Sequence, residues 1–435
     1  MGSKTWKRFI GWALLGLLLT WGVSCASPTA DQSDRRQVEF WTMQLQPQFN
    51  DYFNQLIATF ENDHPEVKIR WVDVPWSAME SKILAAVSAQ TAPDLVNLNP
   101  DFASMLAGRD AWLNLDEHLS EEVRSLYLPN IWEANMIQTC DGDNCQNRTF
   151  GIPWYLTTQI VIYNQNLLNQ AGIENPPTTY QELATVAQTI RQRTGKYALF
   201  VSFVPTDSAQ VLQSLVQMGV QLVDNNRKAA FNTPEGRAAF QYWVDLYQQD
   251  LLPREVLTQG HRRAIELYQA GEIALLTTGP QFFRAIAENA PDIAKVSAPS
   301  SAITGENGKI SVAVMNLVIP QNTRHPEDAI NFALFVTNSP NQLNFAKASN
   351  VIPSSIQALE NPFFQNIPAD ATPQDKARKI SAQQMPNAQV LIPPLEDIKE
   401  LQTIIYNNLQ AAMLNQKTVD QAILDAETAW NRRLN

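Results

Sequence analysis

The sequence predicts an α/β protein made of two lobes with a cleft between them. At 435 residues the chain is too long for one ordinary hydrophobic core and suits two lobes of roughly 150 to 200 residues each. Its composition, 45% hydrophobic and 17% charged residues, is globular and argues against disorder over most of the length. Strand and helix patterns alternate where the globular part begins, which is typical of parallel α/β winding.

Hydrophobic periodicity places the first five elements. We expect strands at 38–41, 67–74 and 94–98, and helices at 52–60 and 77–89. Ligands of such sheets bind at the carboxyl ends of the strands.

The residues at those strand ends are the first ligand candidates. They are Trp41, Gln44, Trp76, Asn99 and Asp101. Core packing is an equal alternative for the two tryptophans, and Asp101 could instead cap the helix that begins near Phe102.

The next segment, FGIPWYLTTQIVIYN, sets two aromatic residues behind a turn and before a strand. Gly151 permits a tight backbone and Pro153 removes a hydrogen-bond donor, so we interpret the segment as a crossing between the lobes. Trp154 and Tyr155 would then lie on the hinge side of the cleft, which favours ligand contact.

A second series of strands and helices follows the crossing. A helix ends at Gly172, and Thr179 and Glu182 have the spacing of a capping box that opens the next helix. We expect a buried strand at 273–277 that leads to a second crossing, and another extended run at 312–319. The chain from Pro326 onward is expected to be mostly helical.

The first residues have the pattern of an export signal. Lys4, Lys7 and Arg8 precede an apolar run of 13 residues, 9–21, which is shorter than the roughly 20 needed to span a bilayer. Small residues around Cys25, with a polar spacer after it, resemble a bacterial lipobox in which this cysteine becomes lipidated. Cleavage without lipidation is the alternative.

Cysteine count and charge narrow the possibilities further. If Cys25 is lipidated, the other two of the three cysteines, Cys140 and Cys145, form a natural disulfide pair. The turn between them lacks the Gly and Glu positions of a calcium loop, so no metal site is expected there. The net charge of −11 becomes −14 without residues 1–24, which disfavours nucleic acid and anionic membranes as partners and leaves the lipid anchor as the membrane contact.

The sequence lacks the common catalytic signatures. The four histidines form no zinc-type His-x-x-x-His pair, and there is neither a Gly-x-Ser-x-Gly turn nor a phosphate-binding glycine loop. No cofactor is expected. The sequence does not exclude a pair of carboxylates that hydrolyses glycosides, because 43 acidic residues provide many chance pairs. A secreted carbohydrate-acting enzyme is therefore the alternative function, and a purely structural lipoprotein is a third.

Several short motifs, in order, carry a family resemblance. They are Phe40-Trp41, 93–96, Gly151-Ile152-Pro153-Trp154, 162–164, 167–172, 268–274 leading to Gly279-Pro280, and 326–329. Together they resemble the solute-binding proteins of ABC importers, in particular the sugar-binding family that includes maltose-binding and glycerol-phosphate-binding proteins.

The resemblance implies a two-lobed periplasmic-binding-protein fold with crossing hinge strands and no enzymatic activity. Its implied ligand is a carbohydrate or polyol, held by aromatic stacking and hydrogen bonds to hydroxyls. Its implied partner is an ABC permease, and its implied place is the periplasmic or extracellular face of the membrane. Further ligand candidates by this resemblance are Gly279, Pro280, Phe282 (or Phe283), Met315 and Asn316.

The resemblance also suggests the size of the ligand. Met315 and its neighbours replace a glycine pair of many relatives and would narrow the cleft, which hints at a small ligand.

The resemblance implies a domain plan as well. The expected parts are a signal peptide at 1–24, the lipidated cysteine and spacer at 25–37, lobe 1 at 38–152 and 279–320, and lobe 2 at 153–278 and 321–435.

Overall fold

The protein is described by a computed structural model for residues 35–141, 144–392, 395 and 397–433, with backbone alone at 100, 104, 138–141, 144 and 145. Cys25 and the expected signal lie outside the described residues. The strands are β1 Arg36–Met43, β2 Val67–Val74, β3 Leu95–Leu98, β4 Met136–Asp141, β5 Asn144–Thr149, β6 Ile152–Thr158, β7 Ile160–Asn164, β8 Leu275–Thr278, β9 Ser297–Ser300, β10 Ile310–Val318, β11 Ile352–Pro353 and β12 Ala388–Gln389.

The helices follow in the same chain order. They are α1 Asn50–Asp63, α2 Trp76–Ser88, α3 Pro100–Ala107, α4 Glu121–Arg124, α5 Pro129–Glu133, α6 Gln165–Gln170, α7 Tyr180–Thr194, α8 Gln210–Gln217, α9 Pro234–Gln248, α10 His261–Gln269, α11 Phe282–Asn289, α12 Pro291–Ala294, α13 Pro326–Val336, α14 Ser339–Ser349, α15 Ile356–Leu359, α16 Pro362–Gln365, α17 Pro373–Gln384, α18 Ile398–Met413 and α19 Val419–Arg433.

Lobe 1 is built on a seven-stranded sheet. Its strand order is β11-β6-β10-β3-β1-β2, and β12 pairs with β10. Strand β1 runs parallel to β2 and to β3, as the alternating strand and helix patterns predict. Strand β10 returns antiparallel between β3 and β6, so the sheet is mixed.

Neighbouring residues of β1 show how both faces of this sheet are covered. The ring of Phe40 packs edge-on against Phe332 of α13, with centroids 5.4 Å apart, and lies 6.4 Å from Phe53 of α1. Trp41 points to the opposite face and joins the core formed with α2 and α3. Helix α13 therefore belongs to lobe 1, together with α14, whose Phe345 enters the same core.

Lobe 2 is built on the antiparallel sheet β8-β7-β9 and a large helical core. The core draws on α7, α8, α9, α10, α18 and α19. The capping box predicted at the start of α7 is present: Thr179 Oγ1 accepts from the Glu182 amide at 3.1 Å, and the Glu182 carboxylate accepts from the Thr179 amide at 3.2 Å. Gly172 and Gly271 take φ of 68° and 69° where their helices stop.

Gln159 alone separates β6 of lobe 1 from β7 of lobe 2. The lobes are joined again between β9 and β10, and the first connection lies against the start of β10, since the Gln159 amide donates to Ser311 O at 3.1 Å. A third connection follows β12 and leads to α18. The first crossing thus lies inside the segment 150–164 that the sequence indicated, a few residues after the expected lobe boundary between 152 and 153.

The packing differs from the expected lobe boundaries in three places. Residues 153–158 pair within the sheet of lobe 1, and 282–300 remain with the sheet and core of lobe 2, so the chain does not cross at Gly279-Pro280. Helices α13 to α16 pack in lobe 1. A helical hydrophobic pattern indicates that one face is buried but does not specify the sheet that buries it, which explains the difference.

Two further features concern what the sequence predicts for the cysteines and for the membrane. Cys140 and Cys145 are cross-strand partners in the β4-β5 hairpin, and their disulfide stays a prediction. Within the described ranges, no helix combines the length and apolar character needed to cross a bilayer.

Candidate ligand-binding site

A pocket of about 210 Å³ lies where the two lobes meet, and we call it the hinge pocket. Its walls come from β6 and the crossing, from the start of α8, from α10, from the end of β8 and from β10. The lining residues are Thr157, Thr158, Gln159, Ser208, Ala209, Gln210, Gln213, His261, Thr277, Thr278, Gly279, Ser311 and Ala313.

The crossing residue Gln159 is fixed from two sides. Its amide donates to Ser311 O at 3.1 Å, and its carbonyl accepts from Gln384 Nε2 of α17 at 3.1 Å. The Gln384 Oε1 atom in turn accepts from the Ala302 amide at 2.7 Å, on the connection between β9 and β10. One side chain of α17 thus links both connections at the floor of the pocket.

The loop that enters α8 forms the lobe 2 wall and is held by α18. Gln402 Nε2 donates to Pro205 O at 2.9 Å and to Asp207 O at 3.2 Å, and Tyr406 Oη donates to Ser208 O at 2.8 Å. Gln210 Nε2 donates to Thr277 Oγ1, which joins α8 to the end of β8. These bonds order the wall before any ligand arrives.

His261 brings the one ionisable side chain of the lining. Its amide donates to Asp207 Oδ2 at 2.7 Å, and its ring meets the edge of Phe282 with centroids 6.3 Å apart. Burial lowers the pKa of the imidazole, against a smaller opposing effect of the Asp207 charge. The imidazole is therefore neutral near pH 7, and no lining residue carries a formal charge there.

Two hydroxyl groups of the lining have no hydrogen-bond partner within the described part of the protein. They are Thr158 Oγ1 and Ser208 Oγ, one from each lobe, and both atoms are buried. A buried polar atom without a partner costs about 1 to 3 kcal/mol, and a ligand hydroxyl would recover that free energy only if the pocket opened enough to let it reach the atom.

Trp154 does not line the hinge pocket, and the ligand role predicted for it is wrong in this structure. Its side chain is 0% exposed and lies in the core of lobe 1. The indole stacks on Phe345 with centroids 5.1 Å apart and an angle of 24°, and meets Phe53 edge-on at 5.9 Å. The indole is thus enclosed by protein.

Tyr155 and Trp41 also pack against protein. The Tyr155 ring is half-buried against Phe345, with centroids 5.2 Å apart, and burial raises the pKa of its phenol. Trp41 is 6% exposed, donates from Nε1 to Glu39 Oε1 at 2.6 Å and carries Lys82 Nζ 4.0 Å from its ring centroid. Core packing, the alternative left open for Trp41, is the arrangement found.

The remaining strand-end candidates include one exposed tryptophan. Trp76 opens α2 and is 45% exposed, and its amide donates to Gln44 Oε1 at 3.3 Å. Asn99 caps α3, since its Oδ1 accepts from the Phe102 amide at 2.9 Å. Asp101 is exposed as a residue, but partial desolvation of its carboxyl by the surrounding protein raises the pKa of that group. The positive charge of Lys399 opposes this shift.

The candidates near the second predicted crossing divide between pocket and core. Gly279 lines the hinge pocket, where a Cβ atom would lie 2.6 Å from Thr157 Cγ2, and Pro280 is buried next to it. Met315 is buried in the core of lobe 1, so it does not narrow the cleft. Asn316 is also buried, and its carbonyl accepts from Asn97 Nδ2 at 3.2 Å.

Sequence reasoning missed most of the pocket. The polar step Thr157-Thr158-Gln159 directly follows the two aromatic residues that drew attention, and Thr277-Thr278 directly precedes Gly279. Both are polar runs at the ends of apolar strands, a signal that the sequence does carry. The residues at the start of α8 had no such signal, because the fold alone brings them to the crossing.

The sequence profile of the family described as bacterial extracellular solute-binding protein matches residues 46–343. A candidate oligosaccharide periplasmic-binding protein from Synechococcus sp. MITs9220, solved with and without zinc, is 45% identical, with a TM-score of 0.83 for the zinc complex over 91% of this chain and 98% of that one. No group of three metal-ligating side chains occurs among residues that the structure describes.

More distant relatives also match this chain. The cyclic α-maltosyl-1,6-maltose binding protein of Arthrobacter globiformis is 21% identical, with a TM-score of 0.77 over 92% of this chain and 99% of that one. The diacetylchitobiose binding protein DasA of Streptomyces coelicolor is 20% identical over 88% of this chain and 87% of its own. The family resemblance seen in the sequence is confirmed, and the chain belongs to the bacterial extracellular solute-binding proteins.

Proposed function

We propose that this protein captures a neutral sugar or polyol in the hinge pocket and delivers it to the permease of an ABC importer. The observation that carries the proposal is the pocket itself, which lies between the lobes and is lined by hydroxyl, amide and backbone groups without a formal charge. Hydroxyl-rich ligands pair with such groups, whereas a phosphate would need a cation or a cluster of free amides.

The unpartnered hydroxyls support a ligand that touches both lobes. Thr158 belongs to lobe 1 and Ser208 to lobe 2, so a sugar that bonds to both is held only when the lobes are close. Such a ligand favours the closed arrangement, because only that arrangement offers both contacts. Micromolar affinity needs about −8 kcal/mol, which several hydroxyl hydrogen bonds and one stacked ring can supply.

The size of the pocket favours a short ligand. At about 210 Å³ the pocket is smaller than the roughly 300 to 1,000 Å³ of most small-molecule sites. A longer sugar would extend from the pocket into the cleft toward Trp76, whose exposed indole is a suitable surface for the apolar face of a sugar ring.

The relatives support the same class of ligand. One is described as a candidate oligosaccharide-binding protein, and others as binding diacetylchitobiose or a cyclic maltose derivative. The 45% identical relative carries the most weight for this inference, since the others are near 20% identical and share the fold alone.

Export and anchoring are part of the proposal. Residues 1–24 would be removed as a signal peptide, and Cys25 would be lipidated and hold the protein at the periplasmic or extracellular face. A Streptomyces antibioticus lipoprotein, 21% identical over 80% of this chain, supports the anchor. The permease is implied by the family's role in transport and by a relative from Deinococcus radiodurans described as an ABC transporter-binding protein.

The hydrolase alternative gains no support from the hinge pocket. Glycoside hydrolysis uses two carboxylic side chains on either side of the scissile bond, and no Asp or Glu is among the lining residues.

Titration calorimetry against maltose, diacetylchitobiose, simple polyols and glycerol phosphate tests the proposal. We expect a stoichiometric complex with at least one neutral sugar or polyol, none with glycerol phosphate, and an unchanged ligand when the mixture is analysed by chromatography. Binding of glycerol phosphate alone would contradict the neutral-ligand assignment. Product formation without a stoichiometric complex would favour the enzyme.

A further inference from the structure

One ion pair connects the lobes directly across the cleft. Lys399 Nζ lies 2.6 Å from each carboxylate oxygen of Glu80. Glu80 belongs to α2 of lobe 1 and Lys399 to the first turn of α18 in lobe 2, so the two residues are 319 positions apart in the chain.

Other groups of lobe 1 face the same ammonium. Lys399 Nζ is 5.1 Å from the ring centroid of Phe102 in α3, and its charge acts on the nearby carboxyl of Asp101. The ammonium group of Lys399 therefore lies near two carboxyl groups and one aromatic ring of lobe 1.

Each end of the pair lies on an element that is connected to the proposed ligand site. On α2, Trp76 precedes Glu80 by four positions and so lies on the same face of the helix. On α18, Lys399 shares a face with Gln402 and Tyr406, which hold the loop whose residue Ser208 lines the hinge pocket.

We propose that Glu80 and Lys399 are a positioning pair, which draws the pocket wall of lobe 2 toward Trp76 of lobe 1 and biases the ligand-free protein toward the closed arrangement. Neither residue is among those lining the hinge pocket. The pair acts on affinity by raising the fraction of molecules that are already closed, since apparent affinity scales with that fraction.

The expected size of the effect is modest. The Glu80 side chain is 36% exposed and the Lys399 side chain 57% exposed. Ion pairs this exposed contribute little free energy, because water and salt screen the charges. Loss of the pair should shift the ratio of closed to open molecules about two- to fivefold toward open. The proposal assumes the sugar-binding role only for its effect on affinity, and its test needs no ligand.

The test measures the distance between the lobes in the full ligand-free protein by single-molecule energy transfer. Non-natural amino acids replace Leu126 of lobe 1 and Leu424 of lobe 2, which are 55% and 48% exposed, and carry the dyes so that the cysteines remain unchanged. The variants are Glu80→Gln, Lys399→Gln, the double glutamine variant and the charge swap Glu80→Lys/Lys399→Glu.

The matched control is Lys196→Gln. Lys196 pairs with Glu272 at the same distance of 2.6 Å and with similar exposure, but both residues lie in lobe 2. Its loss removes one positive charge without removing a contact between the lobes.

We expect each single variant to increase the open population, the double variant to add little, and the charge swap to restore most of the closed population. High salt should open the wild type and leave the double variant unchanged. Single variants that behave like Lys196→Gln, or a charge swap that stays as open as the single variants, would overturn the proposal. A wild type that closes by this pair but binds no sugar would instead refute the proposed function.

Discussion

Trp154 and Phe345 stack with ring centroids 5.1 Å apart, in the core of lobe 1. The pair joins β6, the strand that leads into the crossing, to α14, nearly 200 residues later in the chain. The aromatic residue that looked most like a ligand platform in the sequence therefore stabilises the lobe on which the hinge is mounted.

Replacing Trp154 by alanine should lower the free energy of unfolding by about 3 to 5 kcal/mol, because the change leaves a large cavity among aromatic rings. Chemical denaturation followed by circular dichroism measures the loss. Trp430→Ala, in the core of lobe 2 and 1% exposed, should cost a similar amount. A Trp154→Ala protein as stable as wild type would show that the indole is not a core residue.

Trp76→Ala should have the opposite profile. Stability should change by no more than about 0.5 kcal/mol, since the side chain is 45% exposed. Sugar affinity should fall about two- to tenfold if the indole covers a sugar ring, as measured by calorimetry. Leu126→Ala, another exposed apolar residue of lobe 1, is the control and should leave affinity unchanged. Equal affinities for the two variants would remove Trp76 from the site.

The unpartnered hydroxyl of Thr158 gives a sharper test of the pocket. Thr158→Val keeps the shape of the side chain and removes a hydroxyl that has no hydrogen-bond partner among the described residues. The free energy of unfolding should therefore stay equal or rise slightly. Sugar affinity should fall about two- to tenfold.

Thr149→Val is the matched control for that change. Thr149 is equally buried, but its hydroxyl donates to Asp116 Oδ1 at 2.7 Å, so its loss should cost about 1 to 3 kcal/mol of stability and leave sugar affinity unaffected. Reversed results for the two threonines would contradict the assignment of the free hydroxyl to the ligand.

The lowered pKa of His261 predicts a pH-dependent contribution to stability. Because the folded protein disfavours the charged imidazole, this contribution is present above the unfolded pKa of about 6.5 and is lost as the pH falls through the lower folded value. Wild type should therefore lose more stability than His261→Gln between neutral pH and about pH 5. Denaturation midpoints across this range measure the difference, with His118→Gln, an exposed histidine of lobe 1, as control. Parallel pH profiles for wild type and His261→Gln would show that burial does not perturb this imidazole.

The elements of lobe 1 could be read from the sequence because β1 to β3 and their helices have strong periodicity. The capping box at Thr179 was equally readable, since its bonds are local. The role of Trp154 was not readable. Successive residues of a strand face opposite sides of a sheet, and only the pairing of β6 with β10 and the packing of α14 decide which side is core.

The hinge pocket depends still more on long-range contacts. Gln159 and Ser311 lie side by side although 152 residues separate them, and Ser208 reaches the pocket through bonds to α18. Local pattern indicates that a polar run is exposed or ends a strand, but it does not show which runs meet. The site was therefore predictable as a class, a cleft at strand ends, and only partly as residues.

The central claim is that the hinge pocket holds a neutral sugar or polyol through groups from both lobes. A crystal structure of the complex with whichever neutral ligand binds most tightly in the panel tests it directly. We expect ligand hydroxyls within hydrogen-bonding distance of Thr158 on lobe 1 and of Ser208 or Gln210 on lobe 2. A ligand bound to one lobe alone, or outside the hinge pocket, would contradict the account.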